Sequence, residues 1–263
     1  MADLEALLDD FAEECADLER IVAPLDAADW SLPTPAAGWT IAHQIGHLAW
    51  TDEIATVASA DAEGFQKLVT EAGPKAFTFV DDAAEEAATA PPAELLDRWH
   101  RGRKSLVDAL RAVPAGAKLP WFGPPMSAAS MITARIMETW AHGQDVADTL
   151  GITRTPTARL RTVAHIGVRT RNFAYTVHGL TPPAAEFRVE LTAPDGTIWS
   201  WGPEDAEQRV TGPAVDFCLL VTQRRHPDDL AIESAGPDAA QWLTLAQAFA
   251  GPTGSGRTAG QFA

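Results

Sequence analysis

Cysteine is nearly missing: Cys15 and Cys218 are the only two in 263 residues. Two thiols cannot build a disulfide framework, and each sits in an apolar run where it packs as a small hydrophobe. Positive charge is scarce too. Against 36 Asp and Glu stand 20 Lys and Arg, a formal charge of −16. Such a surface repels phosphate backbones and anionic lipid, so neither nucleic acid nor membrane is an expected partner. No apolar run reaches the roughly 20 residues that a transmembrane helix needs. The opening Met1-Ala2-Asp3-Leu4-Glu5 is acidic where a signal peptide is basic, so a cytoplasmic protein is expected. His-Glu-x-x-His is missing, which argues against a zincin, and no nucleophile elbow supports Ser-His-Asp catalysis.

What is present is an ordinary globular composition, 46% hydrophobic and 21% charged. The length suits one or two domains. Charge divides the chain. Residues 1–150 hold 10 basic and 25 acidic side chains, whereas residues 151–263 hold 10 and 11. The seam falls at Leu150-Gly151-Ile152-Thr153-Arg154-Thr155-Pro156, where a helix-ending glycine is followed by a proline. Two domains are therefore expected, 1–151 and 152–263.

The first is helical. Leu4, Leu7, Leu8, Phe11, Cys15, Leu18, Ile21 and Val22 recur at three- and four-residue steps. Thr40 can cap a helix over about 41–58. Residues 60–90 are rich in Ala and acid, reading as one short helix or two and a loop. Pro91-Pro92 opens a long helix with Leu95, Leu96, Trp99, Leu106, Leu110 and Val113 inside. After a proline-bearing loop, 114–126, Ser127 can cap a helix to about Leu150. Four long helices with short connections suggest a four-helix bundle.

The second is α+β, making the chain mainly α overall. Residues 156–178 read as helix. Glu186 to Trp201 reads as a hairpin turning at Asp195-Gly196, with Phe187, Val189 and Leu191 alternating with polar residues. A strand near Arg209-Val210, a helix over about 213–224, a strand at Leu230-Ala231-Ile232 and a helix over 237–250 follow. The Gly-rich end is expected to be a flexible tail. Its run Gly251 to Thr258 has the spacing of a phosphate-binding loop, with Arg257 in place of Lys. No strand precedes it and no helix can follow, so that reading is set aside.

One polar stripe crosses the bundle. Arg135, Glu138, His142 and Asp145 share a helix face at steps of three, four and three. Glu138 and His142, at i and i+4, can reach one point and form half of a metal site. The apolar helix carrying His43 and His47, again at i and i+4, can supply the rest. Three protein ligands and an open position describe a catalytic zinc-type site. Asp145 could hold the other N–H of His142 from outside the ligand set. Spacing alone leaves Asp52, Glu53 and Asp145 in competition as ligands.

The run Gly38-Trp39-Thr40-Ile41-Ala42-His43-Gln44-Ile45-Gly46-His47-Leu48-Ala49 resembles the second-helix motif of the DinB superfamily. More closely it resembles the N-terminal domain of the mycothiol-dependent maleylpyruvate isomerase family. Met137-Glu138-Thr139-Trp140-Ala141-His142-Gly143-Gln144-Asp145 is similar to the fourth-helix motif of that family. The resemblance implies His47, Glu138 and His142 as metal ligands and gives His43 no role. Gly212 to Arg224 is similar to the helix of the family's C-terminal, sterol-carrier-like domain, which ends in a functional arginine. Arg224 is the matching position, beside Arg225. Segments 60–90 and 114–126 look expanded relative to the family pattern, which puts the substrate in question rather than the metal.

The resemblance implies a divalent cation, zinc first, with mycothiol as thiol cosubstrate. A metal-lowered thiol pKa would give a nucleophile that isomerises or conjugates a small electrophile. Arg224 would hold a substrate carboxylate. Two other readings stay open: a non-catalytic metal-binding or sensor module, and a hydrolase using metal-activated water.

Overall fold

A computed structural model describes residues 3–73 and 78–262. Met1 and Ala2 of the acidic opening, and 74–77 within the Ala- and acid-rich stretch, lie outside the described residues. The chain divides into two compact units, Met1–Arg154 and Thr155–Ala263.

Among the described residues of the first unit there are six α-helices. They are α1 (Leu4–Val22), α2 (Ile41–Ala60), α3 (Ala62–Ala72), α4 (Phe79–Ala88), α5 (Pro92–Ala112) and α6 (Ala128–Leu150). The four long ones, α1, α2, α5 and α6, form the bundle, with α2 packed against α4, α5 and α6. Their ends follow local chemistry. Asp3 caps α1 through its carboxylate, Pro92 opens α5, and Ser127 accepts from Ser130 N at the start of α6. Gly151 closes α6 in the left-handed region, φ 65°. The unit runs on to Arg154, whose Nη1 donates to the Trp140 carbonyl at 2.8 Å and whose Nη2 pairs with Glu14. The 60–90 stretch holds two short helices, α3 and α4, laid against α2. Leu8, Phe11, Leu18, Ile41, Ile45, Leu48, Trp99 and Ile136 are in the core. No helix among the described residues is long and apolar enough to cross a membrane.

The second unit is a small α+β fold. Helices α7 (Leu160–Arg169) and α8 (Arg171–Val177) precede β1 (Phe187–Thr192), β2 (Ile198–Trp201) and β3 (Gln208–Pro213). Then come α9 (Ala214–Val221), β4 (Glu233–Ala235) and α10 (Pro237–Leu245). The sheet order is β2-β1-β3-β4. β1 pairs antiparallel with β2, Val189 facing Trp201, and parallel with β3, Val189 facing Val210. At the hairpin, Asp195 Oδ1 accepts from Thr197 N and Oγ1. Phe187, Val189 and Leu191 are buried, and Trp242 meets Phe187 and Phe217 edge-on at 5.8 Å.

Three local expectations shift. The last strand is Glu233–Ala235 rather than 230–232, because the Asp216 carboxylate takes the Ala231 N–H at 2.8 Å and keeps it out of the ladder. The helix expected over 213–224 stops at Val221. Gln223 turns left-handed, φ 58°, and the Arg224 N–H closes on the Leu219 carbonyl. The final helix stops at Leu245, since the Ala248 N–H bonds to Val221 O at 2.7 Å instead of continuing the helical ladder. In the Gly-rich end, Gly260 N donates to the Asp229 carboxylate, and the Arg225 guanidinium lies 4.3 Å over Phe262.

Candidate metal centre

Helix α2 starts with a capping box in which His43 stands where Glu or Gln is usual. Its Nδ1 accepts from Thr40 N at 3.2 Å and lies 2.8 Å from Thr40 Oγ1. Its Nε2 is 2.7 Å from Glu85 on α4. Both ring nitrogens are thus engaged away from α6. One turn later on α2, His47 points at α6 instead.

Among the described residues, one group of His, Cys, Asp or Glu side chains could hold a metal ion: His47, Glu138 and His142. Their ligand atoms all lie within 4.8 Å of one another. Two nitrogens converge on one carboxylate oxygen, His142 Nε2 at 3.1 Å and His47 Nε2 at 3.6 Å from Glu138 Oε2. Tetrahedral sites with bonds of about 2.0–2.2 Å space their N and O ligands by about 3.3–3.5 Å. The observed separations straddle that value, so the donor set and the spacing both fit a divalent cation. Both histidines are 8% exposed. Burial pushes the Glu138 carboxyl up, but His142 and His47 outweigh it and hold the group well below the usual carboxylate range.

The tautomer of His142 follows from its surroundings. Thr34 Oγ1 donates to the Trp39 carbonyl at 2.9 Å, so it accepts from Gln44 Nε2 at 2.8 Å. That fixes the Gln44 amide, whose Oε1 faces His142 Nδ1 at 2.5 Å. An acceptor there requires Nδ1 to carry a hydrogen, which makes Nε2 the nitrogen able to offer a lone pair to a cation. Gln44 thus faces the ring nitrogen for which Asp145 was considered. The His142 side chain leans N-terminally along its helix toward Glu138, which presents Nδ1 to the facing helix. Asp145 itself is fully buried on α6.

Rings enclose the triad. Trp39 stacks on His142 at 5.8 Å and lies 5.3 Å from His47, its indole N–H donating to Asp81 at 3.0 Å. Trp50 lies 6.1 Å from His47. The competing carboxylates are engaged elsewhere. Asp52 Oδ1 accepts from Arg135 Nε at 2.8 Å, and Glu53 takes a two-pronged pair from Arg98 at 2.8 and 2.7 Å. Arg224 belongs to the second unit, where its Nη1 donates to the Thr222 carbonyl at 2.7 Å.

Gln44, Thr34 and Trp50 carried no signal of their own in the sequence. Gln44 does lie three residues before His47, on the same face of α2. A polar residue there, inside an otherwise apolar stretch, is the sign that could have found it.

Comparison with known proteins adds the following. A family model described as the mycothiol maleylpyruvate isomerase N-terminal domain matches residues 11–147. One described as wyosine base formation matches residues 183–234. Two uncharacterized proteins of Mycobacterium tuberculosis, from strains CDC 1551 and H37Rv, are each 59% identical over 257 residues, covering 98% of this chain and all of theirs. Crystal structures of the mycothiol-dependent maleylpyruvate isomerase and of a mutant of it align with a TM-score of 0.59 and 19% identity. The alignment covers 88% of this chain and 92% of theirs, so the fold is shared.

Proposed function

The chain belongs to the mycothiol maleylpyruvate isomerase N-terminal domain family, and on that premise we propose that it is an enzyme using a divalent metal and a low-molecular-weight thiol on a small electrophile. The observation that carries this reading is the convergence of His47 Nε2 and His142 Nε2 on one Glu138 oxygen. His47, Glu138 and His142 hold the cation, with zinc first for a set of two nitrogens and one oxygen. Bound there, the cation lowers the pKa of a thiol so that the thiolate is present at neutral pH. Gln44 keeps the His142 lone pair aimed inward, and Trp39 and Trp50 keep water from the histidine rings.

Mycothiol is the thiol this family membership favours. Its sulfur adds to one carbon of a cis double bond conjugated to a carbonyl, forming a C–S bond and an enolate. The former double bond is now single and rotates. When the enolate collapses, the C–S bond breaks, the trans double bond forms and the thiolate is returned. If the enolate instead takes up a proton, the thiol stays attached and the reaction is a conjugation. Arg224 is proposed as the residue that holds a substrate carboxylate, for which a guanidinium fork is suited.

Metal analysis and a turnover assay test this together. The wild type should carry one metal ion per chain and act on a cis-enone only when both metal and mycothiol are present. His142→Ala should lose the metal and the activity. Full metal retention in that variant overturns the ligand set. Cleavage of an ester or amide without any thiol points to hydrolysis, and metal binding with no turnover of any electrophile points to a non-catalytic module.

A further inference from the structure

An unbroken row of aromatic rings runs outward from the triad. Trp50 stands 6.1 Å from His47 and meets Phe79 of α4 edge-on at 5.6 Å. Phe79 meets Phe122 at 5.3 Å, and Phe122 meets Phe65 of α3 at 5.3 Å and Trp121 at 5.2 Å. These rings do not come from the bundle's own core. Apart from Trp50, they are delivered by α3, α4 and the 114–126 loop. Nor is the row closed over like a core. Phe65 is 1% exposed, but Trp50, Phe79 and Trp121 are half-buried and Phe122 is 41% exposed. Four large apolar rings left partly in water, the first of them beside a buried imidazole pair, gain contact when something apolar lies on them, and a flat group suits their faces. Charge agrees with this choice of occupant. On the Trp39 side of the triad stand Asp81, bound to the Trp39 indole, and Glu85, bound to His43. Carboxylates there disfavour a substrate that is anionic along its whole length.

We propose that Trp50, Phe79 and Phe122 form the specificity wall of the site, and that the electrophile carries an aryl or extended conjugated group which lies along it. The inference rests on the thiol-enzyme reading for the identity of the reacting bond, but the wall itself is a binding surface. Phe122 is the most exposed ring of the row, and it selects for the substrate's apolar end. Trp50, next to His47, sets where that end begins relative to the reacting carbon. One well-placed aromatic pair corresponds to about 2- to 12-fold in affinity beyond simple burial.

The test uses N-ethylmaleamic acid and N-phenylmaleamic acid, which share the cis double bond and the carboxylate and differ in the amide substituent. Equilibrium binding of each to the metal-loaded full chain is measured first without thiol, then steady-state turnover with mycothiol. The wild type should bind the phenyl compound at least fivefold more tightly. Phe122→Ala should bring that ratio below about twofold, because the phenyl compound loses more affinity than the ethyl compound. Phe122→Leu, which keeps apolar bulk without a ring face, should fall between and guards against a folding defect. Equal binding of the two compounds to the wild type overturns the wall. So does an equal loss of both in Phe122→Ala, or a change confined to mycothiol. A phenyl preference in binding with no turnover of either compound leaves the wall standing and refutes the thiol-enzyme reading. Turnover without a phenyl preference does the reverse.

Discussion

Arg135 lies beneath the triad in a fully buried polar cluster, and replacing it separates packing from charge. Its side chain is 2% exposed and that of Asp52 is 0% exposed. Nε donates to Asp52 Oδ1 at 2.8 Å and Nη2 to Thr51 Oγ1 at 2.6 Å, while Thr51 Oγ1 donates to the His47 carbonyl at 2.7 Å. Arg135→Met keeps most of the stem's apolar volume and strands a carboxylate. Breaking a buried pair from one side costs about 3–5 kcal/mol, against a total stability of about 5–15 kcal/mol for a domain. Adding Asp52→Asn removes the stranded charge, so the double variant should recover about 2 kcal/mol of that loss. Acidity supplies a second signature. Burial already raises the Asp52 carboxyl above its ordinary range, with Arg135 pulling against it. Without Arg135 the folded pKa rises further above the unfolded value of about 3.9. Between those two values the folded state binds more protons than the unfolded chain, so the Arg135→Met penalty is full above the folded value and shrinks as pH falls through it. Urea unfolding followed by circular dichroism at several pH values, for the wild type, both single variants and the double, reads this directly. A double variant as unstable as the two singles summed, or a single-variant penalty under about 1 kcal/mol that is flat with pH, refutes the reasoning.

Gln44→Leu should weaken zinc by about 10- to 100-fold in a chelator competition while one ion per chain still binds at excess metal, because His142 loses the acceptor that fixes its tautomer; unchanged affinity would contradict the hydrogen-bond chain. Gly46→Ala should destabilise the chain by about 1–2 kcal/mol despite the better helix propensity, since its Cβ would lie 2.7 Å from Ala87 Cβ on α4. Ala87→Gly in the same chain should restore stability in thermal melts. Burial raises the Glu19 carboxyl, but hydrogen bonds from Arg103 and His100 outweigh it and hold the group below its ordinary range. Its stabilisation is therefore present above the unfolded glutamate pKa of about 4.3 and fades as pH falls through the folded value. Glu19→Gln should lower stability by about 1 kcal/mol at pH 7 and match the wild type at the acid end of a pH series of melts.

The bundle was legible because its signals are local and redundant. Apolar stripes, Pro92 at a helix start, Ser127 and Thr40 as caps and Gly151 as a stop each act within a turn or two of chain. The hairpin at Asp195-Gly196 is of the same kind. The edges of the second unit were less legible, because they depend on distant partners. Asp216 withdraws Ala231 from the sheet, and Val221 draws Ala248 out of the last helix. Neither bond leaves a trace in the residues that lose their expected structure.

Spacing along two helices determined by itself that a histidine couple and a Glu/His couple exist, each able to reach one point. It could not choose His47 over His43, or Gln44 over Asp145. Tertiary contacts set the surroundings of each. Glu85, 42 positions away on α4, takes the free nitrogen of His43. Thr34 and the Trp39 carbonyl orient Gln44 so that it meets His142. Helical periodicity sets which face a side chain occupies, whereas the atom it offers there is set by whichever partner satisfies its other polar atoms. Those partners are known only once the chain has folded.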